Sequence, residues 1–434
     1  MVGENEGKGS VGARSMEAKS MKSKSLESNN KGNHTMQKWN MDRIAAAFLY
    51  LSVTLEILIV IVDKSNYTNP IEGQLFRITF LLAACKILLT KYSFKEWVAM
   101  ALFGLLGLVS YKATGRNEIL RIVVFIAACK GMDMKRVLKY VFYTTLAGCA
   151  FLIFLSVAGI YGELALEADF GRGYTQVRYC LGLGHPNALH CMAMMLMLLG
   201  LYLYNEKMKW YYYVILFAMN YGLYVLTDSN TGFLMTCCGI IGAVVIHYWK
   251  SLKGHKWVYV AGALVFLACV AFSVLAAESR FTKPSNYWFE NSFIGFIECH
   301  LNGRIKDLYY GTQTSQGTTA TWDWFSNPES QQYFDMGHVR VFYWYGIVPG
   351  VVYVVLNLWL FWQCYRKKDG MGLVMMTVLA VYTVVEAHIV SVYIGRNYIL
   401  FLLAMYSSDM LGLSSDREEY LWKSYRLLGK MERL

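Results

Sequence analysis

From Ile44 onward the chain alternates long apolar runs with short polar breaks. Eleven of these runs fall at about Ile44 to Val62, Leu75 to Leu89, Trp97 to Ser110, Val137 to Ile160, Ala188 to Tyr204, Trp210 to Leu226, Thr231 to Tyr248, Trp257 to Ala276, Val339 to Trp362, Met371 to Val392 and Asn397 to Leu413. Most approach the roughly 20 residues that cross a bilayer as a helix. A twelfth and weaker run, Ile119 to Cys129, is short and carries Arg121, so the count falls to eleven if it inserts only halfway. The pattern predicts an all-α, polytopic membrane protein of about twelve spans.

The composition agrees. Of 434 residues 56% are hydrophobic and only 16% charged, with a mean hydropathy of +0.33, well to the apolar side of a soluble domain. Residues 1–40 are rich in Lys, Ser, Gly, Glu and Asn and read as a disordered tail. The first run is followed by Asp63, Lys64 and Ser65 rather than by a small-residue cleavage site, so it reads as an anchor and not a signal peptide. The expected organisation is a tail over 1–40, a membrane domain over 41–413 and a second tail over 414–434.

The net charge of +11 matters less than where the charges fall. With the amino terminus inside, Lys91, Lys95, Lys130, Lys135, Arg136, Lys207, Lys209, Lys250, Lys253, Lys256, Arg366, Lys367 and Lys368 all lie in cytoplasmic loops. The opposite short loops carry only Lys64, Lys112, Arg116 and Arg396. The positive-inside rule therefore puts both termini in the cytoplasm. Two longer loops, 161–187 and 277–336, then face outward, the second just before the tenth helix, and chemistry outside the bilayer is expected there. Basic charge used in this way implies no nucleic-acid partner. Most of the ten cysteines sit in apolar runs, and only Cys180 and Cys299 fall in outer loops, where a bridge between them is one reading. No Walker motif, DxD or HExxH occurs, which argues against a nucleotide-powered pump and a zinc protease.

Ionisable groups near hydrocarbon are costly and therefore mark candidate chemistry. The stretch from Arg178 to Asn187 runs into the sixth helix through Gly182, Gly184, His185 and Pro186. A helix amino terminus offers free N–H groups to an anion, Arg178 adds a bidentate cation and His185 a proton-exchanging group. The alternative is that His185 and Asn187 merely cap the helix. A second group, Asp335, His338 and Arg340, precedes the tenth helix. It offers a base, an anion clamp and a carboxylate to orient the imidazole, or equally a cap and an interfacial anchor. A third group joins Glu386 and His388 to Arg396, as a substrate contact or a structural ion pair. The long loop carries Trp322 and Trp324, whose flat faces suit sugar rings or an interfacial aromatic belt.

Taken in order, these stretches resemble the O-antigen polymerase and ligase superfamily. The resemblance rests on Gly184-His185-Pro186-Asn187, a Thr227-Asp228-Ser229-Asn230-Thr231-Gly232 turn, a long outer loop, Asp335 to Gly346, and a late helix bearing Glu386. Where the family commonly has Ser-Arg-Thr at the turn, this chain has Ser229-Asn230-Thr231, so no arginine role carries over there. The resemblance implies a GT-C-like bundle in the cytoplasmic (inner) membrane and a cofactor-free, metal-independent glycosyltransferase. Its donor would be a polyprenyl diphosphate-linked oligosaccharide and its acceptor a second lipid-linked repeat unit, for capsule, exopolysaccharide or other surface polysaccharide. Membrane lipid, a flippase and a chain-length regulator of the same pathway are the partners it implies. In this reading Arg178, Arg340 and Arg396 grip the diphosphate, and His185 or His338 is the base with Asp335 beside it. Asn187, Trp322, Trp324 and Glu386 meet the glycan. Transfer of a finished glycan, as in the ligase branch, is the first alternative. A sugar or small-molecule transporter is the second, disfavoured because only Pro349 of five prolines lies inside a predicted span.

Overall fold

Each of the twelve apolar runs contains a helix in the structure, a computed structural model that describes residues 41–170, 173–278, 293–301, 303–309 and 315–410. The two tails, 1–40 and 414–434, lie outside the described residues. We number the helices α1 (Met41–Lys64), α2 (Glu72–Leu88), α3 (Phe94–Thr114), α4 (Glu118–Ala128), α5 (Met134–Val157), α6 (Pro186–Tyr204), α7 (Trp210–Thr227), α8 (Asn230–Tyr248) and α9 (Lys256–Ala276). After the long loop, with its short helices α10 (Phe293–Leu301) and α11 (Arg304–Asp307), come α12 (Gly337–Tyr345), α13 (Ile347–Lys367), α14 (Gly370–Val385) and α15 (Tyr398–Met410).

Among the described residues seven helices are long and apolar enough to cross a membrane: α1, α3, α5, α6 with the turn after it, α8, α9 and α13. This is an α-helical, multi-pass membrane protein. Only 17% of the apolar window of α3 is buried within the protein, and Leu102, Phe151, Phe154, Ile241 and Leu264 are exposed. Such a surface is compatible with hydrocarbon, not with water.

The remaining runs differ from full spans in informative ways. Helix α4 has 11 residues, about 16 Å of rise, roughly half the hydrocarbon thickness. The tenth run divides at Gly346, whose φ of 98° is open only to glycine. A side chain there would also strike the Phe325 Cα at 2.6 Å, because the 323–326 backbone crosses the break and accepts from Ile347 and Val348 N–H. The eleventh run stops being α-helical at Val385, and the chain from Glu386 to Asn397 is irregular apart from one 3-10 turn at Ile394–Arg396 before α15 begins.

Local signals explain several helix ends. Ser93 and Glu96 form a reciprocal capping box at α3, which stops at Gly115 with φ 72°. Asp133 caps α5, and Asp369 caps α14 while accepting the Tyr406 hydroxyl at 2.7 Å. Helix α6 is the most enclosed of the long helices, packing on α5, α7, α8 and α14. Its buried His190 bonds Thr227 and Asn220 of α7. In lipid such polar links and close backbone approach take over from the hydrophobic effect. Gly262 of α9 shows this, since a Cβ there would overlap Leu373 of α14 at 2.6 Å.

The loop over 161–187 contains what the all-α pattern did not predict, an antiparallel hairpin of β1 (Ala165–Asp169) and β2 (Thr175–Tyr179) with Leu166 opposite Arg178. Cys180, directly after it, is a free and buried thiol that donates to the Glu163 carbonyl, so it is not bridged.

Candidate functional site

Unwinding α14 within an apolar bundle strands backbone carbonyls that lipid cannot satisfy. Three guanidinium groups from three different elements supply the missing donors. Arg304 of α11 gives its Nε–H to Val385 O at 2.6 Å, Arg340 of α12 donates to Val390 O at 3.2 Å, and Arg121 of α4 donates to Val392 O at 2.9 Å. The Asn397 amide adds a bond to Ile389 O at 2.9 Å. The segment 386–397 is thus a polar break held open by arginines.

Arg304 is also the centre of a carboxylate pair. Its Nη2 lies 2.6 Å from Glu386 Oε1 and 3.6 Å from Asp335 Oδ2. The loop is built to present it. Glu298 accepts the N–H groups of Ile305 and Lys306 at 3.0 and 2.9 Å, and Gly303, at φ 85°, turns the chain between α10 and α11. The two carboxylates differ in access: the Asp335 side chain is 41% exposed and that of Glu386 21%.

His185 lies within electrostatic reach of Asp335. It is the N-cap of α6, with Pro186 at the first helical position, and its Nδ1 accepts from Asn187 N–H at 3.1 Å. A neutral imidazole that accepts at Nδ1 carries its proton on Nε2. Partial withdrawal from water and the charges of Arg178 and Lys64 hold this imidazole below its usual pKa, with Asp335 opposing them. The neutral form therefore prevails at pH 7. His185 is a donor at Nε2, and its one basic nitrogen is occupied by the helix.

Arg178 of β2 pairs with Asp228 at 3.2 Å and lies over the Phe170 ring at 4.3 Å, clamping the hairpin to the turn between α7 and α8. Arg396 donates to Ser391 Oγ at 3.1 Å and reaches Asp63 of α1 at 3.9 Å. Asp63 also pairs with Lys64 at 2.9 Å and meets the Tyr393 hydroxyl at 2.7 Å, which lies 3.0 Å from Glu72. One rim of the bundle thus gathers α1, α2, α6, the hairpin, α11, α12 and the unwound segment into one electrostatic network.

Several expected roles change. His338 does not face this rim: it is fully buried, with Nε2 on Ala380 O at 3.0 Å and Nδ1 on the Tyr353 hydroxyl at 3.3 Å, so no nitrogen is left for a substrate proton. Asp335 consequently orients Arg304 and not His338. Arg340 is 0% exposed and donates to Phe334 O as well as Val390 O, beneath the Tyr333 and Trp344 rings. It is a lining of carbonyls, not a diphosphate clamp. Glu386 is partnered by Arg304 across the fold, not by the sequence neighbours Arg396 and His388. Trp322 is stacked on Phe342 at 5.0 Å and 10°, one face lost to packing, while Trp324 is 72% exposed. Asn187 contributes its backbone N–H to the His185 cap and its half-buried side chain stands at the same rim.

Sequence reasoning passed over Arg304, Lys64 and Tyr393 as site residues. A lone arginine after a glycine in a long loop carries no periodic signal, and nothing local distinguishes it from a solvated charge. The arrangement offers an accessible carboxylate, a neutral imidazole within reach of its charge and a lysine at the end of α1. That set can accept a hydroxyl proton and hold an anion. No family model, curated protein or solved structure matches this chain.

Proposed function

We propose that the protein is a glycosyltransferase that extends a lipid diphosphate-linked glycan at the rim formed by Asp335, Arg304, Glu386 and His185, on the outer face of the membrane. The observation that supports the reading is an accessible carboxylate, Asp335, beside the Arg304 guanidinium and close enough to the neutral His185 imidazole for its charge to act on it. Asp335 takes the proton of the acceptor hydroxyl as its oxygen attacks the anomeric carbon. The bond from that carbon to the diphosphate oxygen breaks, and the departing anion is met by the Nε2–H of His185 and the charge of Lys64. Glu386, fixed by Arg304, accepts from sugar hydroxyls. Arg178 and Arg396 shape the rim through Asp228 and Asp63. The sidedness rests on the distribution of lysines and arginines among the short loops.

The test is direct. Purified protein in vesicles is mixed with a lipid-linked repeat unit, and the products are run as a ladder with and without chelator. The reading expects chain growth in both cases, lost in Asp335→Asn. A ligase-type enzyme would instead move preformed chains and leave single repeats unjoined.

A transporter is the second reading, and the break in helix over 386–397 favours it, since broken helices are a recurrent device of substrate sites in carriers. Flux of a sugar across the same vesicles without any glycan product would select it.

A further inference from the structure

At the end of the bundle opposite the rim, two turns that are distant in sequence are tied into one surface. His247 of α8 donates from Nδ1 to the Asn205 carbonyl at 2.7 Å, and Lys253 meets Glu206 at 3.5 Å. The Asn205 amide donates to Ala243 O at 3.1 Å. The turn after α6 therefore sits against the turn between α8 and α9. The Lys253 stem also lies 3.3 Å from where a Cβ on Gly370 would stand, so the turn carrying Arg366 and Lys368 adjoins them.

Residues 205–209 and 249–256 hold five lysines and one carboxylate, Glu206. Lys207, Lys209, Lys250 and Lys256 are exposed. Elsewhere at this end cations are paired locally, Lys130 with Glu96 and Arg136 with Asp133. The lysines of the joined turns also keep particular company. Lys209-Trp210 opens α7, Trp249-Lys250 follows α8, and Lys256-Trp257 opens α9, with the three indoles 59–69% exposed. The Lys256 ammonium lies 5.0 Å from the Trp257 ring centre.

Exposed tryptophans at helix ends mark the level where headgroups meet hydrocarbon. Within two turns of them α8 and α9 expose Ile241, Val260 and Leu264. Both helices pack on α14, where Gly242 and Gly262 admit Val374 and Leu373. An occupant must thus be anionic at the lysines and apolar one turn deeper, which excludes a soluble acidic partner. We propose that the joined turns bind an anionic phospholipid, its phosphate among the lysines and its acyl chains along α8 and α9. The site does not rest on the glycosyl-transfer reading.

The probe is dioleoyl phosphatidylglycerol with a diazirine in one acyl chain, photolysed with the detergent-purified full chain and mapped by peptide mass spectrometry. Labels are expected on the halves of α7, α8 or α9 next to these turns. Unlabelled dioleoyl phosphatidylglycerol should displace the probe at concentrations about tenfold below those needed for dioleoyl phosphatidylcholine. Lys209→Gln/Lys250→Gln/Lys256→Gln should weaken labelling about fivefold per lysine lost. Lys91→Gln/Lys95→Gln/Lys135→Gln, which removes as much charge at the other turns of this end, should leave it at the wild-type level. Equal loss in the two triple variants, or labels spread evenly over all helix ends, would overturn the proposal in favour of an unspecific basic surface. Equal displacement by phosphatidylcholine would overturn it in favour of ordinary boundary lipid, and displacement by glycerol 3-phosphate in favour of a soluble phosphate. If a variant fails to fold, the label map and the order of competitors on the wild-type protein still decide.

Discussion

Arg304 and Glu386 stand 82 residues apart in the chain and meet at 2.6 Å, the guanidinium also holding the carbonyl of Val385, the last residue of α14. One side chain from the long loop thus ends a helix and fixes a carboxylate. Both side chains are largely withdrawn from solvent, at 13% and 21% exposure. Removing Arg304 strips Glu386 of its ion-pair partner, and removing Glu386 leaves Arg304 only the longer contact to Asp335 at 3.6 Å, in each case a larger loss than the pair itself is worth. Arg304→Met and Glu386→Gln should each destabilise the protein by about 1.5–3 kcal/mol. The double variant Arg304→Met/Glu386→Gln should lose clearly less than the sum. Thermal unfolding of all three in one detergent tests this, and strict additivity would show that the two do not act on each other.

His185 has two separable jobs. Asparagine is a good N-cap and keeps the bond to the Asn187 N–H, but it lacks the Nε2–H. His185→Asn should therefore melt like the wild type and lose chain elongation. His185→Ala should lose elongation and also about 1 kcal/mol of stability. Normal elongation in His185→Asn would remove the imidazole from the chemistry.

The same residue sets a pH dependence. Its folded pKa lies below the ordinary 6.5. Between that lowered value and 6.5 the unfolded chain binds more protons than the folded one, so this contribution is complete above about pH 6.5 and is lost as pH falls through the folded pKa. Protonation also ends the acceptance of the Asn187 N–H. Melting temperature against pH should fall more steeply below pH 6.5 in the wild type than in His185→Asn. Parallel curves would refute the assignment.

Arg340 is expected to behave as a structural residue. With two carbonyls depending on it and no exposure, Arg340→Ala should give a protein that aggregates or melts early on extraction, whereas Asp335→Asn should be monodisperse and inactive. Size-exclusion profiles of the two variants decide. A well-folded Arg340→Ala without activity would return Arg340 to the substrate site.

Gly346→Ala should cost about 1–3 kcal/mol from its φ alone. The overlap of the new Cβ with the 324–326 backbone adds to this, so the break between α12 and α13 is expected to shift. Thermal unfolding measures the loss, and a neutral result would mean that the loop over the break is not held as described.

Much was readable along the chain because the bilayer imposes a one-dimensional rule: apolar runs become helices wherever the backbone must satisfy itself. The placement of α1 to α9, the short weak α4, the polar turn before α6 and the cluster of ionisable residues near helix ends all followed from run length and local residue type. Gly346 and the segment 386–397 broke that rule. Their departures are stabilised by partners outside the run, the Asp323 and Trp324 carbonyls on the N–H groups after Gly346 and Arg121, Arg304 and Arg340 on the freed carbonyls.

Which arginine serves substrate and which serves backbone was likewise undecided by sequence, since both uses need the same side chain near the end of a helix. His338 and His185 look equivalent in a linear reading, each ahead of an apolar run. Packing separates them, burying the first between Ala380 and Tyr353 and leaving the second at the rim with a bonded Nδ1 and a free-standing role for Nε2. Local patterning determined that helices form and where they start. Only the tertiary structure decided which polar groups are consumed in holding the unwound segment together, because hydrogen bonds to a stranded carbonyl depend on proximity in space and leave no period in the sequence.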